Sequence, residues 1–352
     1  MVSRIADANT SATDYTVWDA RRETHRGAAM TVVTRRAWRR DDLAGMAEVI
    51  NARVTEEGEG EYATVASLAE QYDHLQNCDP DRDIVVLDDD RGRLVGYVRT
   101  FWHDVSEGYR AFYVAFEALS SIAELSEQLL QCGVDRARAI ASEPEHRDHP
   151  DRRLEVWAND GSSRQRAVEA AGFSPFSWSA YLVRPHLEDV PELALPPGVE
   201  IRAVADDHLR AIWEADIEAF RDHHGYVEQT EVDWERFVDE ASSGTELWQI
   251  AWDANGVAGQ VRTYVNEGEA EHLGRRRAWT ENISTRRDRR RQGIAAALIA
   301  ASLRQLATLG FDEAALGVDL DNPTGALGVY TNLGFVEVLR QIHYALPIAG
   351  GR

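Results

Sequence analysis

The sequence predicts a mixed α/β protein built from two tandem domains. At 352 residues the chain is too long for one typical core and suits two domains of ordinary size. Hydrophobic residues make up 44% of it, which is enough for packed interiors. Short motifs of the first half also recur in the second half in the same order, and such repetition indicates a duplicated architecture.

Three pairs of motifs carry this repeat. Residues 96–100 (Gly-Tyr-Val-Arg-Thr) match 259–263 (Gly-Gln-Val-Arg-Thr), residues 32–35 resemble 199–202, and Gly172-Phe173 matches Gly334-Phe335. A proline-containing run between the copies is typical of a linker. We therefore predict a disordered leader at residues 1–30, a first domain at 31–184, a linker at 185–198 and a second domain at 199–348.

The composition narrows the classes of partner. With 60 acidic and 38 basic residues the formal charge is −22, which repels a nucleic-acid backbone and favours a cationic small molecule such as an amine. No segment approaches the roughly 20 apolar residues of a membrane-spanning helix, and residues 1–29 lack the apolar core of a signal peptide. Cys78 and Cys132 have no metal-ligand spacing, so we expect a cytoplasmic protein without a metal site. We expect the protein to be either a monomer, in which the two repeats form an internal pseudo-dimer, or a homodimer.

The second half predicts the element order β-α-α-β-β-β-α-β-α-β-β. Runs rich in β-branched and aromatic residues predict strands at 200–204, 247–252, 257–264, 278–283 and 313–318, and two closing strands within 335–346. Helical periodicity predicts helices at 207–220, 232–241, 293–309 and 323–333. Residues 253–256 (Asp-Ala-Asn-Gly) indicate a hairpin, Gly310 and Gly334 end helices, and Pro323 begins the last one.

A loop that contains a glycine, residues 290–295 (Arg-Arg-Gln-Gly-Ile-Ala), lies between a predicted strand and the long helix. The first N–H groups of a helix are unpaired and positively polarised, so the main chain here can bind a pyrophosphate, and Gly293 permits its close approach. An anionic ligand would also explain an unusual density of arginines in an acidic protein. The alternative is that these arginines belong to a solvated loop without a ligand. These arginines are Arg286, Arg287, Arg289, Arg290 and Arg291.

Several motifs of the second half together resemble the GNAT superfamily of GCN5-related N-acetyltransferases. They are residues 279–285 (Trp-Thr-Glu-Asn-Ile-Ser-Thr), the Arg290-x-x-Gly293-x-Ala295 loop, residues 321–323 (Asp-Asn-Pro), Tyr330 and Leu333-Gly334-Phe335. The resemblance implies two tandem GNAT-like domains, each a central mixed, mostly antiparallel sheet flanked by helices. The tandem arrangement is similar to that of mycothiol synthase-like proteins.

The resemblance also implies acetyl-CoA as the acyl donor and assigns roles to individual residues. Main-chain groups of 283–285 would contact the acetyl-pantetheine arm, residues 290–296 would hold the pyrophosphate, and Asn322 would lie near the pantetheine. Tyr330 matches the tyrosine that protonates the departing CoA thiolate. The predicted donor-binding residues are Ile283, Ser284, Thr285, Arg290, Arg291, Gln292, Gly293, Ile294, Ala295, Ala296 and Asn322.

Attack on a thioester requires the acceptor amine in its neutral form, and therefore a general base. Glu281 occupies a position where several GNAT proteins place that base, and strand alternation puts it on the same face as Ile283. Glu281 and Tyr330 are the candidate catalytic residues. The structural alternatives are that Glu281 pairs with a nearby arginine, that Tyr330 only packs in the core and that Asn322 only caps a helix.

The region after the first helix of the second half forms part of the acceptor pocket in this fold. We therefore predict Glu218, Asp222 and His223 as substrate contacts. The adjacent histidines at 223 and 224 have no further ligand spacing, so they do not predict a metal site.

The first half lacks the residues of a donor site. A strand at 111–117 and a helix at 121–140 leave only Ala118-Leu119-Ser120 between them, with no glycine and no arginine cluster. The repeat aligns Val168 with Tyr330 and Asp160 with Asn322. We therefore predict that the first half shapes the acceptor cleft of the second without binding a donor.

The predicted function is the transfer of an acetyl group from acetyl-CoA to the primary amine of a small molecule by direct attack in the second domain. The alternatives are a non-catalytic CoA-binding or scaffold protein, and an acyltransferase that uses another acyl-CoA or a hydroxyl acceptor. The joint presence of Gly293, Asn322 and Tyr330 favours catalysis. The acceptor itself stays open among aminoglycosides, polyamines, amino acids, peptide N-termini and thiol-sugar amines.

Overall fold

The computed structural model describes residues 33–58, 60–122, 124–221, 223, 225–321 and 325–348. The predicted leader, residues 1–30, lies outside these ranges. In the described part of the chain, no helix combines the length and the apolar character that crossing a membrane would require.

The first half begins with a strand and two helices that cover one face of its sheet. Its strands are β1 (Thr34–Ala37), β2 (Ile84–Asp88), β3 (Leu94–Asp104), β4 (Arg110–Ala118), β5 (Arg152–Asn159) and β6 (Ser174–Arg184). Its helices are α1 (Leu43–Glu57), α2 (Val65–Asp73), α3 (Pro80–Asp83), α4 (Leu125–Ala141), α5 (Pro144–Arg147) and α6 (Ser163–Ala170).

The second half repeats this order with local differences. Its strands are β7 (Glu200–Arg202), β8 (Gln249–Asp253), β9 (Gly256–Tyr264), β10 (Arg277–Thr285), β11 (Glu313–Asp319) and β12 (Val336–Pro347). Its helices are α7 (Leu209–Phe220), α8 (Glu231–Ser242), α9 (Glu267–Leu273), α10 (Ile294–Thr308) and α11 (Ala326–Asn332). The alanine- and leucine-rich α10 has high helix propensity and ends at Gly310, whose φ of +76° suits the residue after a helix.

The strands of both halves form one continuous sheet, and each half's last strand lies in the other half. In the described residues the strand order is β1-β2-β3-β4-β5-β12-β6-β11-β10-β9-β8-β7. Strand β12 pairs antiparallel with β5, and β6 pairs antiparallel with β11. The two closing strands therefore cross between the halves and lie side by side at the centre of the sheet.

The strand exchange also joins the two cores. Ile342 and Tyr344 of β12 are buried in the cluster built around Phe112 of the first half. Leu182 of β6 is buried in the cluster around Leu298 of the second half. Burying one such side chain stabilises a fold by about 1.5–3 kcal/mol, so neither half keeps a complete core without the other's last strand.

The mixed α/β prediction is confirmed, with corrections in detail. The two closing strands predicted within 335–346 are one long strand, β12, with two irregularities in its pairing to β6. The sequence also missed the short helix α9. The last helix begins at Ala326, and Pro323 lies outside the described residues. Residues 185–198 contain no helix or strand, and the domain boundaries themselves stay a prediction.

Candidate active site

Strands β10 and β11 diverge and open a large cavity between them. They pair in parallel only from Arg277 to Trp279, and on its other side β10 bulges between Glu281 and Ser284 where it pairs with β9. Asn282, inside the bulge, has a φ of +47°. The gap between the strands leads into a cavity of about 1370 Å³. Glu281 and Ile283 both line the cavity, together with the residues of β10 beside and between them.

Most of the predicted donor residues line this cavity. From β10 come Ile283, Ser284 and Thr285, and from the following loop and helix come Arg290, Arg291, Gly293, Ile294, Ala295 and Ala296. Gln292 is not among the lining residues, because its side-chain amide turns back to the carbonyl of Asp288 at 3.2 Å. Asn322 lies outside the described residues.

The N-terminus of α10 faces the cavity. Gly293 is its N-cap residue with a φ of +84°, and the first bond of the helix runs from the N–H of Ala297 to the carbonyl of Gly293 at 3.0 Å. The N–H groups at Ile294, Ala295 and Ala296 precede that bond, and such groups have no partner inside a helix. Together with the helix dipole they form a site for an anionic group.

Most arginines of this loop form ion pairs or hydrogen bonds within the protein, which corrects the prediction that the whole group binds an anionic ligand. Arg286 pairs with Asp253 at 2.6 Å, and Arg289 pairs with the same carboxylate at 3.1 Å. Arg290 donates to the carbonyl of Ala219 at 3.0 Å and so connects the loop to α7. Arg287 pairs with Glu218 at 3.4 Å.

Arg291 is the arginine of this group that the structure leaves exposed in the cavity wall. Its φ of +65° is unusual for a residue with a side chain, and it lies two residues before Gly293, which also has a positive φ. These two left-handed positions turn the chain sharply before the helix begins. The same turn brings the helix N-terminus to the cavity.

Glu281 lies where the strands separate, with its carboxylate bridging the gap. Its Oε1 accepts a hydrogen bond from the backbone N–H of Gly317 at 2.9 Å. The pKa of Glu281 is raised to about 7, mainly by burial and also by the negative charge of Glu61, against the opposing effects of the Gly317 hydrogen bond and of Arg262. A carboxylate with a pKa near neutrality is suited to accept a proton at physiological pH.

Tyr330, on α11, is buried and lines the same cavity. Burial raises the pKa of its hydroxyl, and the charges of Glu281 and Asp319 raise it further. The hydroxyl therefore keeps its proton at neutral pH and is available in the cavity as a hydrogen-bond or proton donor. Tyr330 also packs edge-on against Phe335, so it has a structural role as well.

The three predicted acceptor contacts do not share one location. His223 lines the cavity, with its Nδ1 4.0 Å from the carboxylate of Asp319. Glu218 faces Arg287 of the donor loop and is not among the cavity-lining residues. Asp222 lies outside the described residues.

The family model described as the acetyltransferase (GNAT) family matches residues 209–335. This range contains the diverging strands, the helix N-terminus and Tyr330. The second half of the chain is therefore similar to GNAT acetyltransferases over residues 209–335.

Two curated GNAT relatives are mycothiol acetyltransferases from Streptomyces. That of Streptomyces bingchenggensis (strain BCW-1) is 27% identical over 269 residues, which cover 75% of this chain and 80% of the relative. That of Streptomyces coelicolor (strain ATCC BAA-471 / A3(2) / M145) is 32% identical over 198 residues, 53% of this chain and 59% of the relative.

Solved GNAT structures share the fold across both halves. A GCN5-related N-acetyltransferase from Sphaerobacter thermophilus has a TM-score of 0.69 at 20% identity and covers 91% of this chain and 97% of its own. A tandem GNAT protein from the clavulanic acid biosynthesis pathway has a TM-score of 0.63 at 14% identity and covers 91% of this chain and all of its own. The tandem GNAT fold is thereby confirmed.

The first GNAT-like half has the same cleft in altered form. Helix α4 begins at Leu125 and not at Ser121, so the predicted connection of three residues was too short. Its N-cap residue, Glu124, has the left-handed conformation of Gly293, with a φ of +63°. Ala115 pairs with Arg99 as Glu281 pairs with Arg262, so the first half has alanine in place of the candidate base.

Charged side chains occupy the region where this first cleft opens. Arg53 pairs with Glu57 and Glu117, both at 2.8 Å, and Arg164 pairs with Glu117 at 3.3 Å. Arg164 also stacks on the ring of Phe116, 4.3 Å from its centre. A cavity of about 300 Å³ remains beside them. The absence of a donor site in this half stays a prediction, now with a physical reason.

Several residues of the first half line the cavity of the second, Glu61 and Tyr181 among them, and the sequence reasoning missed them. Glu61 comes from the segment before α2, and Tyr181 comes from β6, where the strand exchange places it opposite Gly317. Neither position belongs to a GNAT motif. These two residues reach the cavity through contacts between segments far apart in the chain, and local sequence patterns do not specify such contacts.

One group of side chains outside the cavity has the composition of a metal site. Potential ligand atoms of Glu143, Glu145 and His146 lie within 4.8 Å of one another. The Nδ1 of His146 accepts a hydrogen bond from Arg110 at 2.8 Å, and a guanidinium at that place opposes the binding of a metal cation.

Proposed function

We propose that this protein transfers the acetyl group of acetyl-CoA to the primary amine of a small molecule, with the chemistry confined to the cavity of the second half. The observation that carries the proposal is the joint presence, in one cavity, of a helix N-terminus, a carboxylate with a raised pKa and a protonated phenol. The carboxylate suits the acceptor amine, the helix N-terminus suits the donor's pyrophosphate, and the phenol suits the leaving thiolate.

The donor would bind with its pyrophosphate at the N-terminus of α10. The N–H groups at Ile294 to Ala296 and the exposed Arg291 supply positive charge, and the bulge at Asn282 and Ile283 turns main-chain groups towards the acetyl arm. Preorganised N–H groups of this kind stabilise the oxyanion that forms when the thioester carbonyl is attacked.

The reaction balances with two proton transfers. Glu281 accepts a proton from the acceptor's ammonium, directly or through water, and the neutral amine attacks the thioester carbon. A C–N bond forms as the C–S bond breaks, and Tyr330 donates its proton to the departing thiolate. The amine's second proton restores Tyr330 through solvent, so that the products are the N-acetyl compound, CoA and a proton.

The names of the curated relatives direct the choice of acceptor. Because two relatives act as mycothiol acetyltransferases, the deacetylated form of mycothiol belongs in the first panel of amines, beside an aminoglycoside, a polyamine, an amino acid and a peptide. This acceptor is a proposal for the present chain, with identities of 27% and 32% as its support.

The test is turnover of acetyl-CoA over that panel. We expect at least one amine to be acetylated, with mass spectrometry showing a product 42 mass units heavier per acetyl group, and with the Glu281→Gln variant forming it about 100-fold more slowly. Mass detection is needed because thiol-containing acceptors interfere with measurement of released CoA. Binding of CoA without turnover of any amine would favour the non-catalytic alternative. Turnover of longer acyl-CoA donors in preference to acetyl-CoA would favour the alternative of an acyltransferase that uses another acyl-CoA.

A further inference from the structure

Glu61 is held in the cavity of the second half by the residues around it. The ring of the next residue, Tyr62, stacks on His272 with centres 4.6 Å apart and planes 3° apart. The side-chain amide of Asn266 donates to the carbonyl of Tyr62 at 2.5 Å. Tyr62 is thus fixed to His272 of α9 and to Asn266, which directly precedes that helix. Because Tyr62 is the next residue after Glu61, both halves of the protein set the position of Glu61.

The carboxylate of Glu61 faces the cavity without a basic partner. Its polar contact in the described residues is the hydroxyl of Tyr264, which donates to Oε1 at 3.4 Å, and no ion pair joins it to a basic residue there. Although Glu61 is exposed at the cavity surface, its pKa is raised to about 7, first by desolvation of the carboxylate and then by the charge of Glu269, against the hydrogen bond from Tyr264. The cavity thus contains a negative charge that the protein itself does not balance.

Glu281 adds a second such carboxylate to the same cavity. The nearest basic residue that acts on it is Arg262, whose guanidinium is already bound to Asp216 at 3.1 Å and to Glu240 at 3.2 Å. In the described residues Glu281 likewise forms no ion pair. Two carboxylates from different halves that repel each other across one cavity would be stabilised by a cation between them.

Aromatic rings complete the surroundings. Tyr181, Tyr264 and Trp279 line the cavity. Trp279 meets Tyr181 edge-on with centres 5.7 Å apart and lies parallel to Tyr264 at 6.4 Å. Aromatic rings next to carboxylates are a recurrent means of binding ammonium groups.

We propose that Glu61, contributed by the first half, binds the positive charge of the acceptor, which is a protonated amine without a carboxylate or phosphate beside its nitrogen. This inference rests on the proposed acetyltransferase function and makes its site a composite of both halves. An anionic group next to the amine would meet Glu61 and Glu281 together and be repelled. The class of acceptor therefore includes polyamines, amino sugars and amides of amino acids, and excludes free α-amino acids.

A binding experiment tests this without need of turnover. Cadaverine is titrated calorimetrically into the full-length protein saturated with CoA, for the wild type, Glu61→Gln and the control Glu48→Gln, which alters an exposed residue of α1 outside the cavity. We expect wild type and control to bind with the same affinity and Glu61→Gln to bind about tenfold more weakly or worse. Equal affinity in all three, or no saturable binding to the wild type, would overturn the inference.

Kinetics with the best acceptor of the panel separate this inference from the proposed function. Glu61→Gln should raise the KM of the acceptor by about tenfold or more, while the KM of acetyl-CoA and kcat change by less than about threefold. If Glu61→Gln leaves the acceptor's KM unchanged while Glu281→Gln loses about 100-fold in kcat, the inference is wrong and the proposed function stands. If the wild type acetylates no amine, the proposed function is wrong, and the cadaverine titration alone decides the role of Glu61.

Discussion

The carboxylate of Glu281 on β10 accepts a hydrogen bond of 2.9 Å from the backbone N–H of Gly317 on β11. The contact spans the two parallel strands beyond Trp279, the point at which their regular pairing ends. It fixes the side chain at the mouth of the gap and leaves its other oxygen available to a substrate. Across Gly317 lies Tyr181 of the first half, so this one contact sits where the two repeats meet.

Replacing Glu281 by glutamine should lower kcat by about 100-fold or more, because the variant cannot accept the acceptor's proton. The wild type should show kcat rising with pH through an inflection near 7, since the pKa of Glu281 is raised to about 7 and only the carboxylate form is active, while Glu61 acts on the KM of the acceptor. The variant should lack this inflection. A pH–rate profile from 5.5 to 9 checks both, and an inflection that survives in the variant would assign it to another group.

The same pKa predicts how stability depends on pH. In the unfolded chain a glutamate titrates near 4.3, while Glu281 and Glu61 titrate at about 7 in the folded protein, so the folded state holds extra protons between these values. Their contribution to stability therefore falls as pH rises from about 4.5 to 7. The Tm of Glu281→Gln minus the Tm of the wild type should therefore be more positive at pH 8 than at pH 5. Differential scanning calorimetry that finds the same Tm difference at both pH values would contradict the assignment.

Replacing Tyr330 by phenylalanine should lower turnover by about 100-fold and leave acetyl-CoA affinity nearly unchanged, because the hydroxyl acts only as the thiolate departs. The matched control is Tyr344→Phe. Tyr344 is also buried, and its hydroxyl accepts a hydrogen bond from Gln165 and donates one to Glu169 in the first half, so its loss should reduce stability without reducing kcat. Full activity in Tyr330→Phe would leave that residue as packing alone.

Replacing Gly293 by valine should abolish measurable CoA binding. Its φ of +84° is strained for valine, at a cost of roughly 1–3 kcal/mol, and the branched side chain would project where the pyrophosphate approaches the helix N-terminus. Gly310→Val is the matched control, since Gly310 has a φ of +76° at the other end of α10. Both variants should lose stability in thermal melts, and only the first should lose CoA in calorimetric titration. Loss of CoA in both would attribute the effect to strain.

The intact protein should bind one CoA per chain, and the Gly293→Val variant none. In the first half Glu124 replaces the glycine at the helix N-cap, and Arg53, Arg164 and Glu117 occupy the opening between the strands. A carboxylate residue at the N-cap repels a pyrophosphate. Titration that gives two sites in the wild type, or one in the variant, would show that the first half also binds the donor.

Features encoded in contiguous residues could be predicted from the sequence. The donor loop was recognisable because a strand, a glycine turn and an alanine-rich helix follow one another within residues 278–309, and both the helix propensity and the need for a left-handed turn at Gly293 are local properties. The order of elements and the tandem repeat follow from the same local patterns. Glu281 and Tyr330 were identified by their place in motifs, and the structure brings both to one cavity.

The composition of the acceptor side was decided only by tertiary structure. The exchange of β6 and β12 between halves joins strands far apart in the chain, and nothing in the local pattern of a strand specifies which neighbour it pairs with. Glu61 and Tyr181 therefore enter the site of the other half, and the arginines of the donor loop find acidic partners that spacing alone did not reveal. The sequence by itself determined the order of the elements and the location of the candidate donor loop. The pairing of distant strands, which is driven by burial of both cores at once, determined that the cavity contains residues of both halves.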